Sequence, residues 1–334
     1  MLCNDRSQNR IRTRWTAIFV WLVAVALLLS GCGAPAPKVY RVGILSGTDD
    51  FLPIGDGFKA EMTKLGYVEG KNITYEVQSA NADVPALDRM AKKFVDEKVD
   101  MIVTIATEAS LAAKKATQGT NIPVVFIFAT TEGTGLINSV REPGGNITGV
   151  RYPGPDLAVK RFEMLLELAP QAKRILLPYQ KGYLNVVPQL EAVRPAAAAA
   201  GVTLIEVPVS GAAELEADLQ ARAKSADMGF DAILFIAEPL AVTPDALAVT
   251  GKFAAEHKML FGGSVGTVFG LVTDNVAVGK QAAPLADKIF KGAQAGTIPV
   301  VSAEGFLQVN YKMAQELGVT VPEGLLNRAN QVIR

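Results

Sequence analysis

The chain has little of the chemistry on which most metalloproteins and many enzymes depend. Its 334 residues contain a single histidine, His257, and only two cysteines, Cys3 and Cys32. So few imidazole and thiol groups exclude a His/Cys metal site and a disulfide framework. The acidic pair Asp49 and Asp50 lacks the alternating spacing of a calcium loop. We therefore expect no bound metal.

An excess of charge of one sign is also missing. Lys+Arg and Asp+Glu each total 33, and the only basic cluster lies at the extreme N-terminus, so nucleic acid is not an expected partner. No G-x-G-x-x-G motif follows a predicted strand. The three Gly-Lys pairs at 70–71, 251–252 and 279–280 lack the following Ser or Thr of a phosphate-binding loop. We expect no cofactor.

The N-terminus carries the only segment that resembles a targeting signal. Four arginines, at positions 6, 10, 12 and 14, precede an apolar run at 15–29, which is shorter than the roughly 20 residues that a spanning helix needs. The run ends in Leu-Ser-Gly-Cys at 29–32, which resembles the lipobox of bacterial lipoproteins. We predict a lipoprotein signal peptide over residues 1–32, lipidation at Cys32, and a tether over 33–38. A signal anchor with an incidental cysteine is the alternative.

One motif for nucleophilic catalysis occurs in the chain. Residues 262–266 read Gly-Gly-Ser-Val-Gly and match the G-x-S-x-G pattern around a nucleophilic serine. That arrangement needs a histidine after the serine in chain order, whereas His257 precedes Ser264. We predict no catalytic residue and a protein that is not an enzyme. An exported hydrolase that uses Ser264 is the less favoured alternative.

Apolar runs typical of strands alternate with segments of helical periodicity along the rest of the chain. The strands of a first unit are predicted at 39–45, 73–77, 100–105 and 122–128. The strands of a second unit are predicted at 174–177, 203–207, 231–236 and 259–261. Two such units in series predict an α/β protein with two lobes, each a doubly wound parallel sheet, and a cleft between the carboxyl ends of their strands.

The C-terminal part is too short for a third lobe. Predicted short strands at 271–273 and 298–301 bracket a helix at 276–291, and we expect the chain to cross back to the first lobe, add this helix and return. With a first crossing near residue 150, these crossings form a three-strand hinge. The predicted first lobe comprises residues 39–149 and 271–300. The predicted second lobe comprises residues 150–270 and 301–334.

The stretch 122–150 is the predicted centre of a binding site. Its buried strand gives way to small hydroxyl residues and two glycines at 129–135. We predict that these residues meet the start of a short helix, whose free N–H groups suit a small anionic group. An ordinary loop between a strand and a helix is the alternative.

Polar and aromatic residues at other predicted strand ends complete this predicted site. Those of the first lobe are Ser46, Thr48, Phe51, Thr107, Thr130 and Thr131. Those of the second lobe are Tyr179, Gln180, Glu238 and Ser264, with Asp274 beside the cleft. Taken singly, each residue also fits an ordinary loop or cap.

The grouping of these side chains predicts a chemical class of ligand. Hydroxyls and helix-start N–H groups bind a carboxylate, while Glu238 or Asp274 across the cleft takes an ammonium group. Phe51, Tyr179 and Phe269 wall a pocket for a side chain. The pairing predicts an amino acid or a similar zwitterion.

Several short motifs together resemble those of one known family. They are GYVEGKNI at 66–73, IPVVF at 122–126, GLI at 135–137, PGGNITG at 143–149 and LGVTVP at 317–322. From about residue 39 to residue 333, the chain resembles the ABC-transporter substrate-binding lipoproteins, a family that includes tryptophan- and tyrosine-type binding proteins.

The resemblance implies a type I periplasmic-binding-protein fold with a hinged cleft that delivers a small ligand to a membrane permease and its cytoplasmic ATPase. It also implies an exported protein, anchored by lipid at the membrane surface in the periplasm or on the outer face of the cytoplasmic membrane. We expect a monomer. A ligand-sensing lipoprotein that feeds a receptor is the alternative that fits the same residues.

Overall fold

The computed structural model describes residues 38–81 and 83–334. The predicted signal peptide, the lipidation site Cys32 and tether residues 33–37 lie outside the described residues. Within the described part, no helix combines the length and the apolar character needed to cross a membrane.

Strands and helices alternate from the start of this region. The first group comprises β1 (Tyr40–Ser46), α1 (Leu52–Lys64), β2 (Ile73–Ser79), α2 (Val84–Asp96), β3 (Met101–Ile105), α3 (Thr107–Ala116), β4 (Val124–Ala129) and β5 (Ile147–Arg151). The second group comprises α4 (Gly154–Leu168), β6 (Arg174–Gln180), α5 (Val186–Ala199), β7 (Thr203–Val209), α6 (Ala212–Ala223), β8 (Ala232–Leu234), α7 (Pro244–His257) and β9 (Leu260–Gly262).

The C-terminal region adds further strands and helices. It comprises β10 (Phe269–Val272), α8 (Asn275–Phe290), β11 (Val301–Ser302), β12 (Phe306–Asn310), α9 (Tyr311–Leu317), α10 (Glu323–Arg328) and β13 (Gln331–Ile333). Short 3-10 helices lie at Asp49–Phe51, Pro239–Val242 and Ala295–Thr297.

Three sheets organise the described region. A six-stranded sheet has the order β11-β5-β4-β3-β1-β2, and a four-stranded sheet has the order β7-β6-β8-β9. Parallel pairing joins β11 to β5, β5 to β4, β4 to β3 and β3 to β1 in the first sheet, and β7 to β6, β6 to β8 and β8 to β9 in the second. The central strand β3 is buried along its whole length, as expected for a strand covered by helices on both faces. The α/β class with parallel sheets, predicted from the sequence, is confirmed.

Two of the clusters formed by buried apolar side chains are separate from each other. One contains side chains between Leu45 and Ile147, together with Val300. The other contains side chains between Tyr152 and Leu271, together with side chains between Leu307 and Leu325. The division follows the sheets, because the first cluster lines the six-stranded sheet and the second lines the four-stranded and three-stranded sheets.

Helix α8 returns to the six-stranded sheet and packs against α1 at very short range. A Cβ atom at Gly57 would lie 2.2 Å from the Val276 carbonyl oxygen, and one at Gly279 would lie 1.9 Å from the Ile54 carbonyl oxygen. Only glycine fits at these two positions. The chain then pairs β11 with β5, Val301 opposite Val150, before it leaves this sheet again.

The strand pairing after residue 268 differs from the sequence-based expectation. Strand β10 pairs antiparallel with β12, and β13 adds a third strand to form a small sheet. Neither β12 nor β13 is predicted from the sequence. The strand predicted at 298–301 forms only at Val301–Ser302, because Pro299 lacks a backbone N–H and the 3-10 helix at Ala295–Thr297 precedes it.

Candidate functional site

The carboxyl edge of the six-stranded sheet brings together predicted site residues from three strand ends. Strands β1, β3 and β4 are parallel and adjacent, so Ser46, Thr107 and Thr130 lie at one edge. The Thr130 N–H donates to the Thr107 hydroxyl at 3.1 Å, and all three side chains are buried. This part of the predicted grouping is present in the structure.

Two of the predicted hydroxyls already have partners within their own loops. The Ser46 hydroxyl donates to the Thr48 carbonyl oxygen at 2.7 Å. The Thr131 hydroxyl donates to the Glu132 carboxylate at 3.2 Å. These bonds shape the loops around the edge, and each hydroxyl oxygen retains lone pairs that can accept.

One helix N-terminus at this edge is that of α3, which begins at Thr107 directly after β3. Its N-cap, Ala106, has φ 79° and ψ 164°, a conformation that non-glycine residues rarely adopt. No side chain caps the helix. The first N–H groups of a helix have no intrahelical acceptor, and together with the helix dipole they favour an anion.

The prediction of a short helix after β4 is wrong. The structure has turns between β4 and β5 instead. Gly133 and Gly135 have φ values of 70° and 67°, which interrupt any helix at these positions. The Thr134 hydroxyl donates to the carbonyl oxygens of Thr130 and Thr131, at 3.2 and 3.0 Å, and closes the turn. The candidate helix N-terminus, that of α3, therefore lies one strand away from the predicted place.

An aromatic row begins at the same edge. The ring centroids of Phe51 and Phe128 are 5.2 Å apart, those of Phe128 and Tyr152 are 4.9 Å apart, and both contacts are edge-to-face. Phe128 stands where the pairing of β4 with β5 shifts register, and its φ is 62°. A bulge of this kind turns a side chain away from its regular direction. Sequence reasoning missed Phe128 and Tyr152, because the first reads as part of a continuous buried strand.

The four-stranded sheet brings Gln180 and Glu238 together at its own carboxyl edge. One Glu238 carboxylate oxygen accepts the N–H groups of Gln180 and Leu240, each at 3.0 Å, and the other accepts that of Ala241 at 3.0 Å. Burial raises the pKa of Glu238, whereas these backbone donors favour its ionised form. Glu238 is thus a buried cap whose two oxygens are already in use.

Ser264 follows β9, the next strand of this sheet, and is buried. Its carbonyl oxygen accepts the Thr267 hydroxyl at 2.7 Å. His257 lies in the last turn of α7, where its ring contacts that of Phe253 in a tilted arrangement, with centroids 4.4 Å apart and planes at 42°. Ser264 and His257 therefore each make contacts within their own segment of the chain.

Three predicted residues have other roles in the structure. The Tyr179 hydroxyl bonds to Glu206, which also pairs with Arg194. Asp274 is exposed and caps α8 by accepting the Ala277 N–H at 2.8 Å. Phe269 is fully buried in the second core cluster. The structure does not group these three side chains with Gln180 and Glu238.

The edges of the two parallel sheets face each other at the loop and helix start 183–188. A Cβ atom at Gly133, in the turn after β4, would lie 3.9 Å from Pro188 Cγ in the first turn of α5. Burial raises the pKa of Tyr183 to about 12, with further contributions from the carboxylates of Glu108 on α3 and Glu238. Tyr183 therefore stands between one carboxylate of each edge. Sequence reasoning missed this residue.

Two arginines form hydrogen bonds that join chain segments where the chain passes between the sheets. Arg151, in β5, contacts the Glu132 carboxylate, and it donates to Asp156 and to the Ser302 hydroxyl, both at 2.9 Å. The buried Arg161 donates through Nε to the Leu271 carbonyl oxygen at 2.9 Å. Each arginine thus connects segments from two different passages of the chain.

Among the described residues, no group of three or more His, Cys, Asp or Glu side chains is placed to hold a metal ion. The site consists instead of hydroxyls, helix-start N–H groups, aromatic rings and two carboxylates, placed between two facing sheet edges. A site of this kind defines a two-lobed solute-binding protein.

Comparison with known proteins gives the family. The chain belongs to the ABC transporter substrate binding proteins, whose family model matches residues 42–333. Proteins of this family bind small-molecule ligands and are not enzymes. The family and the two-lobed fold of type I periplasmic binding proteins, both predicted from the sequence, are confirmed.

Three relatives illustrate the similarity. A tyrosine-binding protein of Clostridioides difficile is 28% identical over 256 residues, which are 74% of this chain and 71% of that protein. A Streptococcus pneumoniae ABC domain in complex with L-Trp is 26% identical, with a TM-score of 0.72 over 87% of this chain and 100% of that one. A conserved domain protein from Vibrio cholerae is also 26% identical, with a TM-score of 0.73 over 88% of this chain and 100% of that one.

Proposed function

We propose that the protein is the lipid-anchored, extracytoplasmic binding component of an ABC importer, and that its ligand is an amino acid with an aromatic side chain. The observation that carries this proposal is the aromatic row Phe51, Phe128 and Tyr152 beside the uncapped N-terminus of α3. The tyrosine and L-Trp named for two relatives support the same ligand class.

The two edges offer complementary partners for a zwitterion. The first turn of α3 and the hydroxyl of Thr107 suit the ligand carboxylate, with Ser46, Thr48, Thr130 and Thr131 around it. The opposite edge carries Gln180, Glu238 and Ser264, and the negative charge of the Glu238 carboxylate suits the ammonium group. The aromatic row provides apolar area for a ring, and edge-to-face contacts favour an aromatic one.

The proposed lobes are residues 39–149 with 271–300 and residues 150–270 with 301–334. The two buried clusters support this division, because each one is largely confined to one of the two sets. Ligand that touches both edges stabilises the closed arrangement over the open one. In this proposal a membrane permease with its ATPase recognises the closed form.

The proposed anchor is a lipid on Cys32. It rests on the basic flank, the apolar run and the Leu-Ser-Gly-Cys sequence at 29–32. Cys32→Ala should move the protein from the membrane fraction to the soluble fraction and abolish incorporation of radiolabelled palmitate. Retention of label in this variant would exclude Cys32 as the acceptor.

A thermal-shift screen of the full chain in detergent tests the ligand class. The probes are L-tryptophan, L-tyrosine, further amino acids, nucleosides and small carboxylates. Ligand present at about 100 times its dissociation constant adds roughly 2.7 kcal/mol to the free energy of unfolding. We expect this shift with aromatic amino acids. A shift with nucleosides and none with any amino acid contradicts the proposed ligand.

A matched pair of variants tests the aromatic row. Phe128→Leu removes two edge-to-face contacts and should weaken L-tryptophan binding by roughly tenfold. Phe290→Leu removes a comparable aromatic contact, that with Tyr67 at 5.3 Å between ring centroids, away from the strand ends of both sheets. Phe290→Leu should leave L-tryptophan affinity unchanged. Equal effects of the two substitutions in a titration calorimeter would exclude the row as the ring-binding surface.

A further inference from the structure

The side chain of Asn185 leaves a buried acceptor unused. Asn185 is the N-cap of α5, and its side-chain oxygen Oδ1 is buried without a hydrogen-bond partner within the described part of the chain. Buried polar atoms nearly always have a partner, because an unpaired one loses its bonds to water. This oxygen is therefore placed for a donor that the chain itself does not supply.

The local sequence explains why Asn185 does not cap its own helix. An asparagine at an N-cap normally has extended backbone and accepts the N–H of the second or third helical residue. Asn185 has helical backbone, with φ −79° and ψ −6°. The third helical residue is Pro188, which has no N–H to donate. The side-chain oxygen of Asn185 therefore does not cap α5.

Asn185 lies in the segment where the two sheet edges face each other. Pro188, three residues later, is the residue nearest to Gly133 across the gap. Tyr183, two residues earlier, is within electrostatic range of Glu108 and Glu238. The Asn185 backbone carbonyl is held by the buried Gln189, whose side-chain nitrogen donates to it at 2.8 Å. The acceptor thus belongs to the proposed site, and the backbone that carries it is held in place.

The surroundings favour a donor that carries positive charge. The carboxylates of Glu108 and Glu238 make the field around this segment negative. Glu238 was one of the two residues predicted to take the ammonium group, the other being Asp274, but the Glu238 oxygens already accept three backbone N–H groups. Within this described segment, Asn185 Oδ1 is a buried side-chain oxygen that accepts no hydrogen bond.

We propose that Asn185 Oδ1 accepts an N–H bond from the ammonium group of the bound amino acid and so selects amino acids over their des-amino analogues. This inference rests on the proposed function. In this assignment the Glu238 carboxylate attracts the ammonium group electrostatically and makes no direct hydrogen bond to it.

Titration calorimetry of the full chain in detergent tests the assignment with two ligand pairs. The pairs are L-tryptophan with indole-3-propionate and L-tyrosine with 3-(4-hydroxyphenyl)propionate. Asn185→Ala should lower the affinity for each amino acid by roughly tenfold or more, as expected for loss of a bond to a charged group. The affinity for each des-amino analogue should stay the same, because that molecule has no ammonium group to lose.

Two further variants separate recognition from folding. Asn185→Asp keeps an acceptor oxygen and should retain the preference for amino acids. Asn310→Ala removes another N-cap asparagine, whose side chain accepts the Met313 N–H at 2.9 Å at the start of α9. It should lower the melting temperature without changing the ratio of the two affinities.

The outcomes distinguish this inference from the proposed function. If Asn185→Ala weakens both members of a pair equally, or weakens neither, the assignment of Asn185 is overturned while the ligand class stands. If the unmodified protein binds no amino acid, the proposed function fails and the assignment fails with it.

Discussion

At the scale of single residues, two strained backbone positions mark the edge of the six-stranded sheet. Ala106 and Phe128 both have positive φ, and each follows or ends one of two neighbouring strands. Such conformations cost about 1–3 kcal/mol each, and they persist where the surrounding structure holds them for a function. At Ala106 the chain turns into the first helical turn of α3. At Phe128 it turns an aromatic ring toward Phe51 and Tyr152.

The ionisation of Glu238 gives the protein a stability that depends on pH. Burial raises the pKa of this carboxyl in the folded protein above its ordinary value near 4.5. Between that value and the raised pKa, the folded state binds more protons than the unfolded state. The free energy of unfolding contributed by Glu238 therefore falls as the pH rises through this window and is constant above it.

Glu238→Gln removes this titration and provides the comparison. We expect the stability of the unmodified protein relative to Glu238→Gln, measured by urea unfolding at a series of pH values from 4 upward, to decrease with rising pH. If the stability of the unmodified protein relative to Glu238→Gln increased with pH, the three backbone donors would outweigh burial and lower the pKa of Glu238 instead.

The sequence predicted part of the site at this scale and missed the rest for local reasons. Ser46, Thr107 and Thr130 were identifiable because they follow strands that their composition reveals. Tyr179 follows the same pattern, but its hydroxyl turns to Glu206, a partner more than 20 residues away. Phe128 and Asn185 depend on a bulge and on an unused cap, and neither has a signature in the sequence.

At the scale of elements, the contact of α8 with α1 joins the C-terminal region to the first sheet. Gly279→Ala places a Cβ atom 1.9 Å from a backbone oxygen, so one of the helices must move. We expect a loss of about 1–3 kcal/mol or more in the free energy of unfolding by urea denaturation.

Gly251→Ala is the matched control for this substitution. Gly251 also lies inside a helix, α7, but a Cβ atom there would lie 3.6 Å from the nearest atom of Phe261, an ordinary contact. We expect roughly 0.5 kcal/mol of added stability, because alanine favours a helix more than glycine does. Similar losses at both positions would contradict the close packing of α8 on α1.

Elements with strong periodicity were predictable, and those set by long-range pairing were not. The helix predicted at 276–291 forms as α8 (Asn275–Phe290), and the strands of both parallel sheets lie within a few residues of their predicted positions. Strand β12 escaped prediction because its register depends on antiparallel pairing with β10, in which Val272 lies opposite Phe306, and the whole of α8 separates the two strands in sequence. The helix expected after β4 failed because two glycines there adopt positive φ.

At the scale of the whole molecule, the chain passes between the sheets at β5, before α8 and after β11. Arg151 connects β5 to β11 through Ser302 and also reaches Glu132 and Asp156. Arg161 connects α4 to β10 through the Leu271 carbonyl oxygen. In the proposed mechanism, rotation about these passages changes the separation of the two edges, and a ligand that binds both edges favours their approach.

The chain is well suited to a distance measurement of this motion. Its two cysteines, Cys3 and Cys32, lie outside the described residues, and the proposed processing leaves no free thiol. Spin labels at Lys71→Cys and Lys224→Cys report on the separation of the proposed lobes. Labels at Lys71→Cys and Lys92→Cys, both in the first lobe, form the control. All three lysines are exposed.

Pulsed electron–electron double resonance measures the distance between the two spin labels of each pair. Its use on these two labelled pairs, with and without saturating L-tryptophan, tests most directly whether two lobes close on an amino acid. We predict that L-tryptophan shifts the Lys71/Lys224 distance distribution to a new, narrower maximum and leaves the Lys71/Lys92 distribution unchanged. An unchanged Lys71/Lys224 distribution under conditions in which calorimetry shows the ligand bound would contradict the account.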